Sequence, residues 1–410
     1  MTAKERQLLF PRREDLPGHV DPSLRFDYDV YAVDAADGDF AGAMVRLREG
    51  GTPPIFWTPA NRGHWVATAP ELIETILSEP ARFSSRVMRV PRESNPNPPM
   101  TPLMVDPPLH MKHRLLLMGA MSPAAIRRMT PSVRALCVNI IEELAPQGRC
   151  EFVADFAQHM PIAVFLSMVG LPLSERHYLL ELVARITRPD KPETRMDGFA
   201  ELARYMMARV EERRADPGDD VISDLVRAEV DGKPLDEATL QGMMTVLILA
   251  GLDTVASMLT FIALFLSRNP GHRRRLIAEP ELIPNAVEEF LRRMAMVNLT
   301  REVVADTELA GVPLKAGDLV VAPTALASVS DERHSDPLIV DFDRPRPRHT
   351  TFGAGPHVCM GAMLARTEIA IFLELWLKHI PDFEVAPDAS LEVRVGAAAM
   401  LPALPLVWRN

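Results

Sequence analysis

The stretch "TFGAGPHVCMGAMLAR", residues 351–366, contains Cys359, one of three cysteines in a chain of 410 residues. Gly353 and Gly355 precede it and allow a sharp turn, and Gly361 follows it without side-chain bulk. The end of the stretch has helical character, so Cys359 would lie where a helix begins. Free N–H groups at a helix N-terminus favour a thiolate, and the pattern therefore predicts a functional thiol.

Metal ligation, nucleophilic attack and redox exchange are the chemistries that use such a thiol. The chain has no CxxC spacing for zinc and no nearby second cysteine for a redox pair, whereas a nucleophile stays possible if its base comes from elsewhere. A single axial thiolate on an iron porphyrin fits all the local features at once. In that interpretation Phe352 covers the sulfur, and His357 donates to an acidic group at the porphyrin edge.

The composition is that of an acidic soluble protein: 47% of the residues are hydrophobic, 24% are charged, and the net charge is −10. This balance argues against nucleic-acid binding. No linker or repeat divides the chain, so we expect a single domain over residues 1–410 with no fused reductase. The segment 1–20 is too charged for a signal peptide, and Cys137 and Cys150 are expected to be inert thiols. These features favour a cytoplasmic protein.

Residues 243–266, "MMTVLILAGLDTVASMLTFIALFL", are long enough to span a bilayer and carry one charge, Asp253. That charge would lie near the bilayer centre, where it is costly, and Thr245, Thr254 and Ser257 dilute the apolar run. The pattern favours instead a helix through the middle of a globular core, apolar on nearly every side because every side is covered.

Helical periodicity dominates the chain and predicts a mainly α protein with small β-sheets. The predicted helices cover residues 70–80, 123–146, 155–172, 199–218, 235–270, 284–295 and 361–381. The predicted strands cover residues 53–58, 64–68, 299–305, 307–323 and 403–408. Residues 91–108 contain seven prolines and cannot form a regular helix. They form either a stiff surface loop or a lid over a pocket.

The pattern Phe352-Gly353-x-Gly355-x-His357-x-Cys359-x-Gly361 resembles the haem-binding signature of the cytochrome P450 superfamily. Further motifs resemble that family and occur in its order. They are Ala250-Gly251-Leu252-Asp253-Thr254 for oxygen activation, Glu289-x-x-Arg292 of the family's K helix, and Arg344 as the third member of that charged cluster. Other stretches resemble the bacterial camphor-hydroxylase branch in particular. The resemblance implies the P450 fold, a helix-rich trigonal prism around a buried haem b, and a class I monooxygenase.

The resemblance also implies residue roles. Cys359 is the proximal thiolate, which favours O–O cleavage; Thr254 steadies the oxygen and its water, and Asp253 relays protons. The remaining haem contacts comprise Ala250, Phe352, Gly353 and Gly361, with propionate contacts from His110, Arg114, Arg301 and His357. Glu289, Arg292 and Arg344 are expected to hold the fold around the haem.

The expected electron donor is a [2Fe–2S] ferredoxin, supplied from NADH by a ferredoxin reductase and docking near Lys112, Arg114, Arg346 and Arg348. A monomer is expected. The alternatives are a peroxide-driven peroxygenase and a haem-thiolate sensor without turnover. The presence of both Asp253 and Thr254 favours a monooxygenase over either.

The expected substrate pocket is apolar. It is lined by Met88, Pro98, Met100, Leu103, Val246, Leu247, Val297 and Ala398, with Asn298 as the nearby polar residue. In camphor hydroxylase a loop tyrosine binds the ketone of camphor, and the matching position here is Pro98. A second pocket position matches Arg89 or Met88. Without the phenol donor, an ionone-like terpenoid or norisoprenoid is expected to bind better than camphor.

Overall fold

The computed structural model describes residues 12–35, 37–187 and 192–409. The first eleven residues, part of the segment 1–20 that the sequence predicts to lack a signal peptide, lie outside the described residues. The α-helices of the described part are α1 Phe40–Glu49, α2 Pro70–Ser78, α3 Leu109–Met118, α4 Pro123–Leu144, α5 His159–Met168, α6 Arg176–Thr187, α7 Pro192–Ala215, α8 Val221–Arg227, α9 Glu237–Arg268, α10 Pro270–Ala278, α11 Ile283–Arg293, α12 Thr324–Ser328 and α13 Ala362–His379.

Short strands form the β part. They are β1 Ile55–Thr58, β2 His64–Ala67, β3 Phe83–Ser84, β4 Arg149–Glu151, β5 Glu229–Val230, β6 Lys233–Pro234, β7 Asn298–Val303, β8 Thr307–Leu309, β9 Val312–Leu314, β10 Leu319–Pro323, β11 Phe383–Val385, β12 Arg394–Val395, β13 Ala399–Met400 and β14 Pro405–Trp408. The largest sheet has the order β1-β2-β10-β7-β3, and a second sheet has the order β11-β14-β4. Helices thus dominate, as the sequence predicts.

Helix α9 forms the centre of the core. Asp236 caps its start by accepting a hydrogen bond from the Thr239 N–H at 2.7 Å, and Pro270 begins the next helix. Among the described residues it is the one helix long and apolar enough to cross a membrane, but 72% of its apolar window is buried inside the protein. Helix α9 is therefore a core helix, and the membrane-span interpretation is not supported.

Two predicted elements differ from the structure. The helix predicted over residues 155–172 is divided: residues Val153–Ala157 form a π-helix, in which the Gln158 N–H bonds the Val153 carbonyl at 3.1 Å, and α5 follows. The strand predicted over residues 307–323 is three strands, β8, β9 and β10, because tight turns at Gly311 and Gly317 interrupt it with positive φ. Both differences arise from backbone hydrogen bonds that side-chain periodicity does not encode.

The proline-rich segment lies directly on α9. Apart from a short 3₁₀ turn at Arg92–Ser94 it has no regular structure, as its prolines require. A Cβ atom at Gly242 of α9 would collide with the carbonyl oxygen of Pro99, so the loop approaches the helix at a position where only glycine fits. The segment is therefore packed down over the core helix.

Glu368 on α13 is a buried carboxyl group with a strongly displaced pKa. The residue is 2% exposed, and its Oε1 atom has no hydrogen-bond partner among the described residues. Burial raises the pKa of Glu368 from 4.5 to about 8. The folded protein therefore holds a proton between these pH values that the unfolded chain has released, and stability falls as the pH rises through this range.

Replacing Glu368 by methionine removes the cost of ionising a buried carboxyl group. From this ionisation we expect a gain in unfolding free energy of about 4 kcal/mol near pH 8 and only about 1 kcal/mol near pH 5. The measurement is the thermal unfolding midpoint of the haem-loaded protein at both pH values. Glu374→Gln on the same helix, where the carboxylate pairs with Arg134 at the surface, is the control and should not show this pH dependence. An equal effect of Glu368→Met at both pH values would contradict the assignment.

Candidate active site

The loop before α13 holds Cys359 by backbone hydrogen bonds. The Cys359 N–H donates to the Phe352 carbonyl at 2.9 Å, and Gly353 and Gly355 have φ of +75° and +68°. A Cβ at Gly355 would lie 2.6 Å from the Cα of Ser78, so the loop passes against the end of α2 where a larger residue does not fit. The turn that the glycines predict is therefore present, and it fixes the direction of the thiol.

Electrostatic effects on the thiol oppose one another. Burial raises the pKa of Cys359, while a backbone hydrogen bond from Gly361 and the nearby Arg114 and Arg366 lower it. In the absence of a metal, burial has the larger effect, so the helix start does not by itself produce the thiolate that the sequence predicts. The residue as a whole is nevertheless accessible, which leaves room for a ligand, and a coordinating metal deprotonates a thiol outright.

Phe352 is held from two sides. The guanidinium of Arg366 lies 4.7 Å from its ring centroid, and the ring of His349 packs against it edge to face at 5.8 Å. Both of these residues bind the carboxylate of Glu288 on α11. The sequence analysis did not identify Arg366, His349 and Glu288. Arg366 ends the quoted stretch, but its role depends on a carboxylate far away in the sequence.

The middle of α9 borders an internal space. Ala250 and Gly251 are exposed although buried turns flank them on both sides, and a Cβ at Gly251 would meet no atom within 4 Å. Thr254, one turn further on, donates its hydroxyl to the Ala250 carbonyl at 2.8 Å, and Asp253 is half-buried. The predicted oxygen-activation motif thus lies where a core helix opens to a cavity.

A basic rim forms beside Cys359 from the four residues predicted to bind propionates. The rings of His110 on α3 and His357 lie 4.0 Å apart, and His110 Nδ1 and His357 Nε2 are buried without a hydrogen-bond partner among the described residues. Burial, followed by the charges of Arg301, His110 and Arg114, lowers the pKa of His357 to about 3. A cluster of mutually repelling donors with free nitrogens is suited to an anionic ligand.

Glu289, Arg292 and Arg344 form the buried ion cluster that the motif predicts. Arg292 binds both carboxylate oxygens of Glu289 at 2.8 Å, and Arg344 Nε reaches the same carboxylate at 3.2 Å. Arg292 also donates to the carbonyls of Pro337 and Ile339. Burial opposes ionisation of Glu289, but these cations hold its pKa below the ordinary value. The cluster ties α11 to the segment before the cysteine loop.

The proline-rich loop and α9 share a small apolar cluster, which we call the methionine cluster. Its buried members are Met100, Met104 and Val246, with Met88, Leu103 and Leu249 packed against them. Four of the predicted pocket residues are therefore together, and Met104 and Leu249 are additional members that the sequence analysis missed. Of the other predicted pocket residues, Val297 and Ala398 pair across two short strand segments, Leu247 lies in the main core, and Pro98 is half-buried in the loop.

Asn298 is the predicted polar residue of the pocket, and its side chain is buried at the start of β7. Its Nδ2 atom donates to the Val30 carbonyl at 3.5 Å, whereas the next residue of β7, Leu299, contacts the cysteine loop beside Gly353. The Asn298 Oδ1 atom is buried without a hydrogen-bond partner among the described residues, so the pocket role of Asn298 stays a prediction.

Asp106 anchors the C-terminal end of the proline-rich loop and was not assigned a role from sequence. It accepts hydrogen bonds from the Ser84 hydroxyl at 2.6 Å and the Ser85 N–H at 2.8 Å. Its charge also acts on Arg301 in the basic rim. The loop that covers the cavity and the rim of the cavity are thus connected through one carboxylate.

The residues present fit a haem. Cys359 would bind the iron, the open space at Gly251 would leave room for a flat ring, and the free nitrogens of His110 and His357 would bind its carboxylates. When bound, a thiolate-ligated haem supplies the reductive activation of O2. Arrangements of this kind define the haem-thiolate proteins.

Comparison with known proteins identifies the family. The family model described as Cytochrome P450 matches residues 173–401. A probable cytochrome P450 127A1 from Sinorhizobium fredii is 31% identical, covering 96% of this chain and 97% of the relative. The steroid C26-monooxygenase of Mycobacterium tuberculosis is 34% identical over 92% and 97% of the two chains. The chain therefore belongs to the cytochrome P450 superfamily and is a P450 monooxygenase with haem as its cofactor.

Solved structures confirm the fold and the branch. The crystal structure of CYP101J2 has a TM-score of 0.89 and 36% identity, covering 97% of this chain and 100% of that chain. The crystal structure of CYP101C1 has a TM-score of 0.88 and 34% identity, with the same coverage. The predicted P450 fold, mainly α with small sheets, is thus confirmed, and so is the likeness to the CYP101 branch.

Proposed function

We propose that this P450 inserts one atom of O2 into a C–H bond of an apolar terpenoid or norisoprenoid, with an ionone-like compound favoured over camphor. The methionine cluster carries this proposal, because thioether and aliphatic side chains select a substrate by shape and burial, at about 25 cal/mol per Å2 of apolar surface. The tyrosines of the chain are Tyr28, Tyr31, Tyr178 and Tyr205, none of them in the proline-rich loop. Tyr31, which touches the loop, already donates its hydroxyl to the Val90 carbonyl at 2.8 Å.

The substrate proposal predicts a difference between two ketones. Titrated against the ferric enzyme, β-ionone should give a larger spin-state shift and a lower Kd than camphor, by about tenfold, because its longer apolar body buries more surface. Because the proline-rich loop offers no phenol donor to fix the ketone of camphor, camphor should give several products. Tight camphor binding with a single hydroxylated product would contradict the proposal.

Asp253 and Thr254 carry the proton transfers in this proposal. Thr254 places a hydroxyl at the opening of α9 into the cavity, held by its bond to the Ala250 carbonyl. Asp253, the neighbouring half-buried carboxyl group, connects that position with solvent. Their presence together supports a monooxygenase. A peroxygenase would work with hydrogen peroxide alone, and a sensor would bind ligand without NADH consumption, so turnover with and without electron carriers distinguishes the three.

The electron supply is proposed to be NADH, a ferredoxin reductase and a [2Fe–2S] ferredoxin in the cytoplasm. The predicted docking cations are partly neutralised in the structure. Lys112 binds Asp231 at 2.6 Å, and Arg348 binds Glu74 at 2.8 Å. Arg346 is exposed and is therefore the predicted docking cation best placed to act on a partner.

Exposed apolar side chains lie on helix α3 and beside Cys359, on the face proposed for ferredoxin docking. Met111, Leu115 and Met118 share one side of α3 and are 47%, 58% and 47% exposed, respectively. Arg114, on the same helix, is half-buried and acts on the charge of Cys359. Val358 is 40% exposed beside the cysteine. The proposed ferredoxin contact is therefore largely apolar, with a smaller charged contribution than the sequence predicts.

Two substitutions separate these contributions. Arg346→Glu should slow reduction by ferredoxin about fivefold at low ionic strength and little at high ionic strength, because salt screens exposed charges. Leu115→Ser should slow reduction by ferredoxin by a similar factor at low and at high ionic strength. Arg25→Glu, an exposed arginine beside β1, is the control. Stopped-flow reduction rates across a salt series provide the measurement, and an Arg346→Glu effect that is independent of salt would contradict the docking proposal.

A further inference from the structure

Arg89, two residues before the proline-rich segment 91–108, is a cation with no partner of its own. Its side chain makes no hydrogen bond or ion pair with any described residue, and its Nε atom is buried without a partner. Burial lowers its pKa, and the group that acts against this effect is the phenol of Tyr31 rather than a carboxylate. The residue as a whole is half-buried, so part of its surface remains accessible to a ligand.

The other buried arginines of the chain show how unusual this is. Arg292 donates to a carboxylate and to several carbonyls, and Arg273 donates to Asp382 and the Phe383 carbonyl. Arg301 is the arginine most like Arg89: its guanidinium donates to the Thr300 carbonyl and pairs with no carboxylate of the described residues, and Arg301 belongs to the basic rim suited to propionates. An unpaired buried charge is costly unless a ligand pairs with it. Arg89 therefore has the environment of a ligand-binding cation.

The position of Arg89 is fixed, and it adjoins the methionine cluster. Asn95 accepts from the N–H groups of Met88 and Arg89 at 2.8 and 3.2 Å, and donates to the Arg89 carbonyl at 2.9 Å. The preceding residue, Met88, packs against Met100 and Val246. The backbone of Arg89 is thus fixed next to a residue of the apolar surface on which the substrate is proposed to lie, and its side chain extends from that point.

We infer that Arg89 binds a carboxylate of the substrate, so that the preferred substrate is an apolar terpenoid acid rather than a neutral terpenoid. A guanidinium and a carboxylate pair through two parallel hydrogen bonds, which fixes orientation as well as affinity. The methionine cluster then covers the hydrocarbon part of the same molecule. This inference rests on the proposed terpenoid hydroxylation and changes its ranking of substrates: an ionone-like compound still binds better than camphor, but a terpenoid acid of similar size binds better than either.

The test compares an acid with its neutral ester on the ferric holoenzyme. Perillic acid and methyl perillate share one hydrocarbon skeleton, and spin-state titration at neutral pH gives their Kd values. The acid should bind at least about tenfold more tightly than the ester to the wild-type protein. Arg89→Met should remove this preference, and Arg89→Lys should retain part of it because it keeps the charge without the paired donors.

Arg92→Met is the matched control, since Arg92 is an exposed arginine of the adjoining proline-rich segment that pairs with Glu302 at 2.9 Å. It should leave the acid preference unchanged. An acid that binds no more tightly than its ester to the wild-type protein, or a preference that survives in Arg89→Met, overturns the inference. The carbon-monoxide spectrum and NADH-dependent β-ionone turnover of the same preparations test the proposed function separately, so an incorrect assignment of Arg89 leaves that function standing.

Discussion

Replacing Cys359 by histidine is expected to abolish hydroxylation while the protein still folds and binds haem. The imidazole can occupy an axial position, and the basic rim of His110, Arg114, Arg301 and His357 remains to hold the propionates. Imidazole lacks the electron donation of a thiolate, however, and a thiolate is what favours O–O cleavage. We expect product formation to fall by at least about a thousandfold, the scale on which loss of a central catalytic group acts in other enzymes.

The control for this substitution is Cys137→Ala. Cys137 is a fully buried thiol whose pKa burial raises to about 12, so it is inert at neutral pH. Its replacement should cost some stability and leave both the spectrum and the turnover number of the folded fraction unchanged. The measurements are the haem spectrum and product formation with saturating ferredoxin. A Cys359→His protein that keeps the thiolate-type spectrum and normal turnover would contradict the assignment of the ligand.

Replacing Thr254 by alanine is expected to uncouple the enzyme rather than stop it. The Thr254 hydroxyl is held by its hydrogen bond to the Ala250 carbonyl. Without this hydroxyl, protons reach the wrong oxygen atom, and the two electrons from NADH are lost in hydrogen peroxide. We expect NADH consumption to continue at a similar rate while product per NADH falls about tenfold. The ratio of NADH consumed to product and peroxide formed is the measurement.

Two further variants make this result specific. Thr260 donates to the Ala256 carbonyl at 2.7 Å in the same manner as Thr254, but it is fully buried in the core. Thr260→Ala should therefore leave coupling intact. Asp253→Asn should instead slow NADH consumption and product formation together, because it weakens proton delivery. Tight coupling in Thr254→Ala would refute the proposed role of the hydroxyl.

The sequence predicts the parts of the molecule that depend on local patterns. The glycine turn and the buried α9 follow from short local patterns, whereas the Glu289–Arg292–Arg344 cluster and the four rim residues are implied by the resemblance to the P450 superfamily. Composition and periodicity show that the protein is mainly helical. The resemblance to the P450 superfamily then orders these motifs in space, which periodicity alone does not.

What the sequence does not predict depends on contacts between distant segments. Arg366 steadies Phe352 only because Glu288 lies beside it, and Asp106 anchors the loop only because Ser84 is nearby. The surroundings of a buried polar side chain also depend on contacts between distant segments. Asn298 is turned to Val30 by the register of β7, and Glu368 is neutral because the surrounding residues leave it without a partner. These features require the fold before they can be recognised.

The central claim is that Cys359 binds the haem of this P450 as a thiolate. The carbon-monoxide difference spectrum of the reduced protein tests it most directly, since the position of the absorption band reports the axial ligand. The account predicts the long-wavelength band that is characteristic of a thiolate-ligated haem in the wild-type protein and in Cys137→Ala, and its loss in Cys359→His. A short-wavelength band in the freshly prepared, folded wild-type protein, of the kind given by a histidine-ligated haem, would contradict it.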